Sequence, residues 1–186
     1  MSDTRRVLVV AATERELSGH EGLACGIGPV EAAARTARAL AEEQPAAVLH
    51  VGLAGGVDLE AGTLVVGTDA VYADIAAAIP VVSRAEPDPG LLAAIRAAFP
   101  DAPALPIATR AAVTGPNNRL LPGGARVEAM EGFAVLRACE LAGVAAVEVR
   151  VISNELGEAD RARWELDRAL ASLAEALPRL LEAVRQ

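Results

Sequence analysis

Glu131 lies where the sequence leads one to expect an apolar residue. Its segment, "RVEAMEGFAVLRA" (126–138), looks helical, and helical steps of three, four and seven lead from Glu131 to Ala134, Val135 and Ala138. A buried carboxylate without a partner tends to lose its charge, so we expect Glu131 to meet a polar group or a cavity. In a cavity, a carboxylate can accept hydrogen bonds or act as a base.

Further polar side chains follow the first and last strand-like runs. Glu14 and Glu16 come directly after residues 7–12, and Ser153 and Asn154 end the run 144–153. Ligands of α/β proteins gather at the carboxyl ends of strands, which makes these residues candidates for a site. Each also has a purely structural interpretation, since Thr13 with Glu16 forms a capping box and Asn154 could cap a helix.

Two glycine-containing segments are open to similar alternatives. "VGLAGG" (51–56) lies at the end of a strand-like run. It is either a turn or a place where a ligand comes close to the backbone. "GIGPVEAAA" (26–34) has two glycines of a dinucleotide fingerprint, but Glu31 replaces the third, which favours a tight strand-to-helix turn. His50, within an apolar strand, is interpreted as a core histidine and His20 is given no role, since neither has the company of other metal ligands.

The elements that must position these residues alternate between strands and helices. Short β-branched runs predict strands at 7–12, 46–56, 63–73, 106–114 and 144–153. Helical patterns cover 29–43, 89–99, 126–138 and 159–184, and 83–90 reads as a connecting loop. This order predicts an α/β fold, in which residues 1–186 form a single three-layer domain with a mixed central sheet flanked by helices.

Composition limits the possible partners. A formal charge of −8 argues against nucleic acid and anionic membranes. Cys25 and Cys139 lie in apolar surroundings, as buried thiols in a reducing cytoplasm do. The apolar run near the N-terminus is too short for a signal peptide or a membrane span, so we expect a cytoplasmic protein without a metal.

Together the segments resemble the nucleoside phosphorylase and nucleosidase superfamily, whose members cleave the bond between a ribose and a base. "VLVVAATERE" resembles the first strand and catalytic glutamate of the nucleosidases, "GIGPVEAA" the following turn and helix, and "VGLAGG" the glycine turn beside the ribose. The block 127–154, which begins "VEAMEG" and ends in Ser-Asn, resembles the most specific part of the family. The Ser-Asn ending and the tail "GEADRARWELDRALASL" look most like the futalosine hydrolases.

The resemblance implies roles for particular residues. Glu16 would activate the attacking water, and Asn154 would recognise a 6-oxopurine base through an uncharged amide. Glu131 would hold the ribose hydroxyls. The remaining residues implied in substrate binding are Ala54, Gly55, Val113, Met130, Phe133, Ser153 and Trp164. Of these, Val113 occupies the place of a base-stacking aromatic, a contact that Phe133 could provide instead, while Trp164 would stack on the 5′ substituent with Arg161 or Arg163 at its carboxylate.

The implied reaction is hydrolysis of futalosine to hypoxanthine and dehypoxanthine futalosine, a step of menaquinone biosynthesis that needs no cofactor. Phosphorylases of the superfamily carry a Gly-Asp-Pro-x-Arg-like loop where this chain has "AATERELSG", which favours water over phosphate as the nucleophile. The alternatives are a methylthioadenosine/adenosylhomocysteine-type nucleosidase, a purine nucleoside phosphorylase and a non-catalytic nucleotide-binding protein. The family also implies a homodimer or larger homo-oligomer with pockets near subunit contacts.

Overall fold

The computed structural model describes residues 6–75, 78–113, 115 and 120–186. Within this part of the chain, eight strands form one mixed sheet. The strands are β1 (Val7–Ala11), β2 (Leu23–Ala24), β3 (Ala47–Gly56), β4 (Leu64–Tyr72), β5 (Arg84–Ala85), β6 (Ala104–Thr109), β7 (Val127–Ala129) and β8 (Ala145–Glu155). The helices are α1 (Glu14–Leu17), α2 (Pro29–Glu43), α3 (Pro89–Ala98), α4 (Gly132–Ala142) and α5 (Leu166–Arg185).

Strand β3 is the centre of the sheet. It pairs in parallel with β1 on one side and along its whole length with β8 on the other. Near its carboxyl end it also pairs with β7 in antiparallel fashion, and the contacts β7–β6, β6–β4 and β4–β8 close a ring of strands. Because β1, β3 and β8 run in the same direction, their carboxyl ends meet at one edge of the sheet.

Two apolar layers cover the sheet and confirm the predicted α/β architecture. On one face, α3 and α5 pack against alternate residues of β3 and β8, among them Leu49, Val51, Val147 and Val149. On the other face, α2 and α4 pack against the opposite residues of the same strands. Both layers consist mainly of Ala, Val and Leu, as the near absence of aromatic residues requires.

The prediction of a helix over 126–138 is wrong in its first half. Val127–Ala129 form β7, and α4 begins only at Gly132. Glu131 is the N-cap of this helix, with a backbone φ of −125°, which a helix interior does not allow. The short strand was missed because three residues give too few alternations to be recognised in a sequence.

The strand predicted over 46–56 is confirmed by β3, but the interpretation of the glycine segment 51–56 as a turn after that strand is wrong. The segment continues β3 to Gly56, where a shift in register between Ala54 and Gly55 absorbs the irregularity. The terminal helix was predicted from residue 159 but starts at Leu166, after a single 3₁₀ turn at Arg161–Arg163. Two short strands, β2 and β5, were not predicted, and β5 lies in the expected loop 83–90. The strand predicted over 106–114 begins at Ala104 and ends at Thr109, so its predicted end is wrong over 110–113. Residue 114 and residues 1–5 lie outside the described residues.

Among the described helices, none combines the length and the apolar composition that crossing a membrane requires.

Candidate active site

A cleft of about 290 Å³ opens at the edge where β1, β3 and β8 end. The predicted residues that line it come from six separate parts of the chain. They are Glu16, Ala54, Gly55, Val113, Met130, Glu131, Ser153, Asn154 and Trp164. The fold therefore brings together nine of the ten residues predicted from the sequence.

Glu16 is held in place by the start of α1. The capping box forms as the sequence predicts: Oε2 of Glu16 accepts from the backbone N–H of Thr13 at 3.0 Å and from the Thr13 hydroxyl at 2.7 Å. Oε1 accepts from the backbone N–H of Leu53 at 3.0 Å. A carboxylate has about four acceptor positions, so Oε1 keeps one for a ligand. Glu14, two positions earlier, is exposed and does not line the cleft.

Glu131 has the polar partners that its burial requires. Its side chain is only 4% exposed, and Oε1 accepts from the backbone N–H of Gly28 at 3.1 Å. The guanidinium of Arg150 lies 3.5 Å from Oε2. Burial raises the pKa of Glu131, whereas Arg150 and the Gly28 N–H act in the opposite direction. The glycine turn at Gly28 thus provides a backbone hydrogen bond to Glu131. Gly28 itself adopts a positive φ of 93°, which glycine tolerates.

Arg150 is a charged residue behind the cleft that the sequence prediction did not single out. Its side chain is fully buried behind Glu16 and Glu131, and its Nε donates to Glu148 at 2.8 Å. In the parallel ladder it is the register partner of Gly52, whose missing side chain leaves room for the guanidinium. A Cβ on Gly52 would collide with Nη1 of Arg150 and lie 2.8 Å from Oε1 of Glu16, so Nη1 and Oε1 face the same small space.

A signal for this arrangement exists in the sequence. Val147, Val149 and Val151 alternate with Glu148 and Arg150, and alternation places the two charged residues on the same face of one strand. Opposite charges on one face of a buried strand indicate an ion pair inside the protein. Burial and the charge of Arg150 lower the pKa of the neighbouring His50 well below its ordinary value, which agrees with its interpretation as a core histidine.

Asn154 and Ser153 lie at the end of β8. The Ser153 hydroxyl is 2.8 Å from Oδ1 of Asn154 and 3.2 Å from the carbonyl of Ala54, and it has one proton to donate to either. Nδ2 of Asn154 donates to the carbonyl of Glu155 at 3.1 Å. The amide retains a second N–H and a second acceptor position, which can meet a polar ligand edge.

Trp164 lies at the rim of the cleft and not beneath the sheet. Its indole N–H donates to the carbonyl of Glu158 at 3.0 Å, which fixes the ring. The guanidinium of Arg161 lies over this ring, 5.1 Å from its centroid, and Arg161 also lines the cleft. Arg163 does not line it and is paired with Glu158 at 3.3 Å. Of the two arginines considered for a carboxylate, the structure places Arg161 at the site.

Three further residues need separate mention. Phe133 does not line the cleft; it stacks on Tyr72, with ring centroids 5.0 Å apart, in a groove between α2 and α4. Val113 lies at the cleft entrance and is 55% exposed. Arg15 belongs to the segment that replaces the phosphate loop of the phosphorylases. It lines the cleft, and its guanidinium lies 3.3 Å from Asp167. Among the described residues, no three His, Cys, Asp or Glu side chains are grouped to hold a metal ion.

Residues 17–186 match the family model of the phosphorylase superfamily. The chain belongs to the phosphorylase superfamily. Within this superfamily, a futalosine hydrolase from Streptomyces coelicolor is 37% identical over 188 residues, covering 87% of this chain and 78% of the relative. A futalosine hydrolase from Acidothermus cellulolyticus is 33% identical over 91% of this chain and 78% of the relative.

Solved structures of a futalosine hydrolase and of a nucleosidase share the fold. The futalosine hydrolase of Helicobacter pylori has a TM-score of 0.86 at 18% identity, covering 96% of this chain and 98% of the other. A 5′-methylthioadenosine/S-adenosylhomocysteine nucleosidase from Colwellia psychrerythraea, in complex with adenine, has a TM-score of 0.86 at 21% identity, covering 97% and 96%. At these identities the likeness establishes the architecture and confirms the predicted nucleoside phosphorylase-like fold.

Substituting Gly52 by alanine tests whether Glu16 and Arg150 share one space. The added methyl group displaces both side chains, and misplacing a reacting group by about 1 Å can cost roughly 10²-fold in rate. We expect G52A to lower kcat/KM by about that factor. No atom of the described residues lies within 4 Å of a Cβ placed on Gly115, so G115A is the matched control and should keep its activity. Full activity of G52A would contradict the placement of the two side chains.

Proposed function

We propose that this chain is an N-glycosyl hydrolase that cleaves futalosine to hypoxanthine and dehypoxanthine futalosine, as a cytoplasmic step of menaquinone biosynthesis. The observation that carries the proposal is the convergence of Glu16, Glu131 and Asn154 on one cleft. The relatives from Streptomyces and Acidothermus that match most of the chain are futalosine hydrolases. A reducing compartment suits Cys25 and Cys139, both free and fully buried thiols.

Glu16 activates the attacking water in this proposal. Oε2 is occupied by both bonds from Thr13, and Oε1 has one acceptor position left to take a proton from water. The negative charge of Glu16 also stabilises the positive charge that develops on the sugar as the bond to the base stretches. Nη1 of Arg150, which has no hydrogen-bond partner among the described residues, faces Oε1 across the space at Gly52, so its positive charge lies next to the carboxylate.

Glu131 holds the ribose hydroxyls. Its carboxylate contacts the backbone N–H of Gly28, the guanidinium of Arg150 and the backbone of Met130, and a carboxylate with about four acceptor positions keeps capacity for a ligand. A pair of neighbouring hydroxyls donates to both oxygens at once. Met130, which lines the cleft next to Glu131, packs beneath the sugar.

Asn154 favours hypoxanthine over adenine as the leaving base. Its amide offers a donor and an acceptor without ionising, which matches the carbonyl oxygen and ring N–H of a 6-oxopurine. An aspartate at this place would instead accept from the amino group of adenine. A polar mismatch in a buried site can be worth about 10⁴-fold in selectivity, so this side chain can determine the substrate. Because Phe133 lies outside the cleft, we expect aliphatic side chains such as Val113 to pack against the face of the base.

A phosphorolytic reaction is the second candidate, and Arg15 is the observation that favours it. A guanidinium at the cleft can bind phosphate, although Asp167 already partners Arg15. The two reactions differ in their requirement for phosphate and in the sugar product.

Product analysis distinguishes the reactions and the substrates. Futalosine, inosine and methylthioadenosine are each incubated with the protein, with and without phosphate, and the free base is measured. We expect hypoxanthine from futalosine without stimulation by phosphate. We expect E16Q to lower kcat by about 10² to 10⁴ and E131Q to weaken sugar binding.

The exposed neighbour Glu14 provides the control, and E14Q should retain the wild-type rate. Strict dependence on phosphate would establish the phosphorylase alternative. Release of adenine alone would assign the chain to the methylthioadenosine type. Full activity of E16Q would remove Glu16 from the mechanism.

The 5′ substituent of the substrate binds at Trp164 and Arg161 in this proposal. Futalosine carries a carboxyphenyl ketone at this position, whose ring can stack on the indole and whose carboxylate can pair with Arg161. Among the described residues Arg161 has no carboxylate within ion-pair distance, while Arg163 is already paired with Glu158. A charge-assisted contact is worth about 1.5–3 kcal/mol.

Comparing R161Q with R163Q measures this contact. We expect R161Q to lower kcat/KM for futalosine by roughly 10- to 100-fold, which is the same free energy expressed as a rate. Its kcat/KM for inosine, which lacks the carboxylate, should stay at the wild-type value. R163Q should leave both substrates unaffected. An equal effect of R161Q on both substrates would show that Arg161 does not recognise the carboxylate.

A homodimer or larger homo-oligomer completes the proposal. The groove between α2 and α4 has a volume of about 1060 Å³, and apolar side chains such as Val30, 80% exposed, and Leu141, 72% exposed, line it. A contiguous apolar surface of this kind favours association, and a second copy would bury it close to the Ile27 side of the cleft.

Sedimentation of the wild-type protein and two variants tests the oligomer. We expect wild type to sediment with at least twice the mass of one chain and L141E to sediment as a monomer, since a charge in an apolar interface is costly. L120E is the control because Leu120 is 88% exposed outside the groove. A monomeric wild type at micromolar concentration would contradict the proposal.

A further inference from the structure

A buried polar cluster behind the cleft includes a histidine that the reaction described above does not use. His50 and Arg150 are completely buried, and Glu148 is 1% exposed. His50 is the register partner of Glu148, and Gly52 that of Arg150, so the cluster spans the β3–β8 ladder. The ladder places all three side chains on the face of the sheet that α2 and α4 cover.

The contacts of His50 determine its tautomer. Nδ1 lies 3.0 Å from the carbonyl of Val10, which can only accept, so Nδ1 holds the proton. Nε2 lies 2.5 Å from Nη2 of Arg150, which can only donate, so Nε2 is the acceptor. A protonated ring would place a second donor against Arg150. The lowered pKa of His50 agrees with a neutral ring.

These contacts fix the orientation of the guanidinium. Nε of Arg150 is held by Glu148 and Nη2 by His50, with Glu131 further away at 3.5 Å. With both of these edges held, Nη1 has one possible direction, toward the space at Gly52 that it shares with Oε1 of Glu16. Nη1 itself is buried and has no hydrogen-bond partner among the described residues.

We propose that His50 is a positioning residue, whose Nε2 holds Nη2 of Arg150 so that Nη1 faces Oε1 of Glu16. Its effect on rate rests on the proposed hydrolysis. An imidazole suits this place because it accepts a hydrogen bond without adding charge. The cluster already contains the carboxylates of Glu148, Glu131 and Glu16 against the single charge of Arg150, and another carboxylate would increase their repulsion.

Two amide substitutions separate the two hydrogen bonds of His50. In H50N the amide nitrogen takes the place of Nδ1, which keeps the bond to Val10 and loses the acceptor for Arg150. In H50Q the amide oxygen takes the place of Nε2, which keeps the acceptor and loses the bond to Val10. A merely structural role makes the variants similar in activity or makes H50Q the worse one, whereas positioning of Arg150 makes H50N the worse one.

We expect H50N to lower kcat for release of the base by roughly 10- to 100-fold, with a much smaller change in KM, and H50Q to restore most of the rate. In an R150Q background, H50N should cause no further loss, because the two residues act through one contact. Thermal unfolding of each variant accounts for loss of folded protein. Equal losses in H50N and H50Q, or a full additional loss in the R150Q background, would overturn the proposal.

Imidazole ¹⁵N spectra test the geometry without any substrate. The sequence contains only two histidines, so comparison with H50N assigns the signals of His50. At neutral pH we expect a protonated Nδ1, an unprotonated Nε2 and a change of the Nε2 shift in R150Q. A protonated Nε2, or a shift insensitive to R150Q, would contradict the contact. If wild type released no base from any nucleoside, the proposed function would fail, and these spectra would still decide whether His50 holds Arg150.

Discussion

The buried charge of Arg150 is the interaction on which the site depends. Its guanidinium lies behind the cleft, in direct contact with Glu148 and Glu131 and facing Glu16. Burying a lone carboxylate costs several kcal/mol, so two acidic side chains could not share one small cleft without a cation between them. The attraction is mutual, since the carboxylates raise the pKa of Arg150 against the opposing effect of burial. Removal of Arg150 would leave the acidic groups without this compensation.

The backbone provides the room that this cation needs. Arg150 fits only because its register partner in β3 is Gly52, and Glu148 fits only because Gly132 lies against its carboxylate. Two backbone N–H groups complete the arrangement, that of Leu53 at Glu16 and that of Gly28 at Glu131. The glycines of "VGLAGG" and "GIGPVE" therefore act in the site through close approach of the main chain to side chains.

The parts of the site that depend on local sequence were predictable. The capping box that holds Glu16 follows from Thr13 and Glu16 at a spacing of three residues, and the burial of Glu131 follows from its apolar neighbours. Contacts between neighbouring strands of the sheet were not predictable, because no local pattern reveals that Gly52 and Arg150 are register partners. Phe133 illustrates the same limit: its type suits base stacking, but the start of α4 directs it to Tyr72 on the far side. Residues matched by spacing alone can thus lie near a site and point away from it.

The most direct test of the site is a crystal structure with a nucleoside analogue whose base is joined to the sugar by a carbon–carbon bond, which the enzyme cannot hydrolyse. We expect its ribose hydroxyls to lie within hydrogen-bond distance of Glu131, C1′ to face Glu16 and the base to contact the amide of Asn154. An analogue bound in the groove between α2 and α4, or one whose base lies at Glu131, would contradict the assignment of these three side chains to a single reaction.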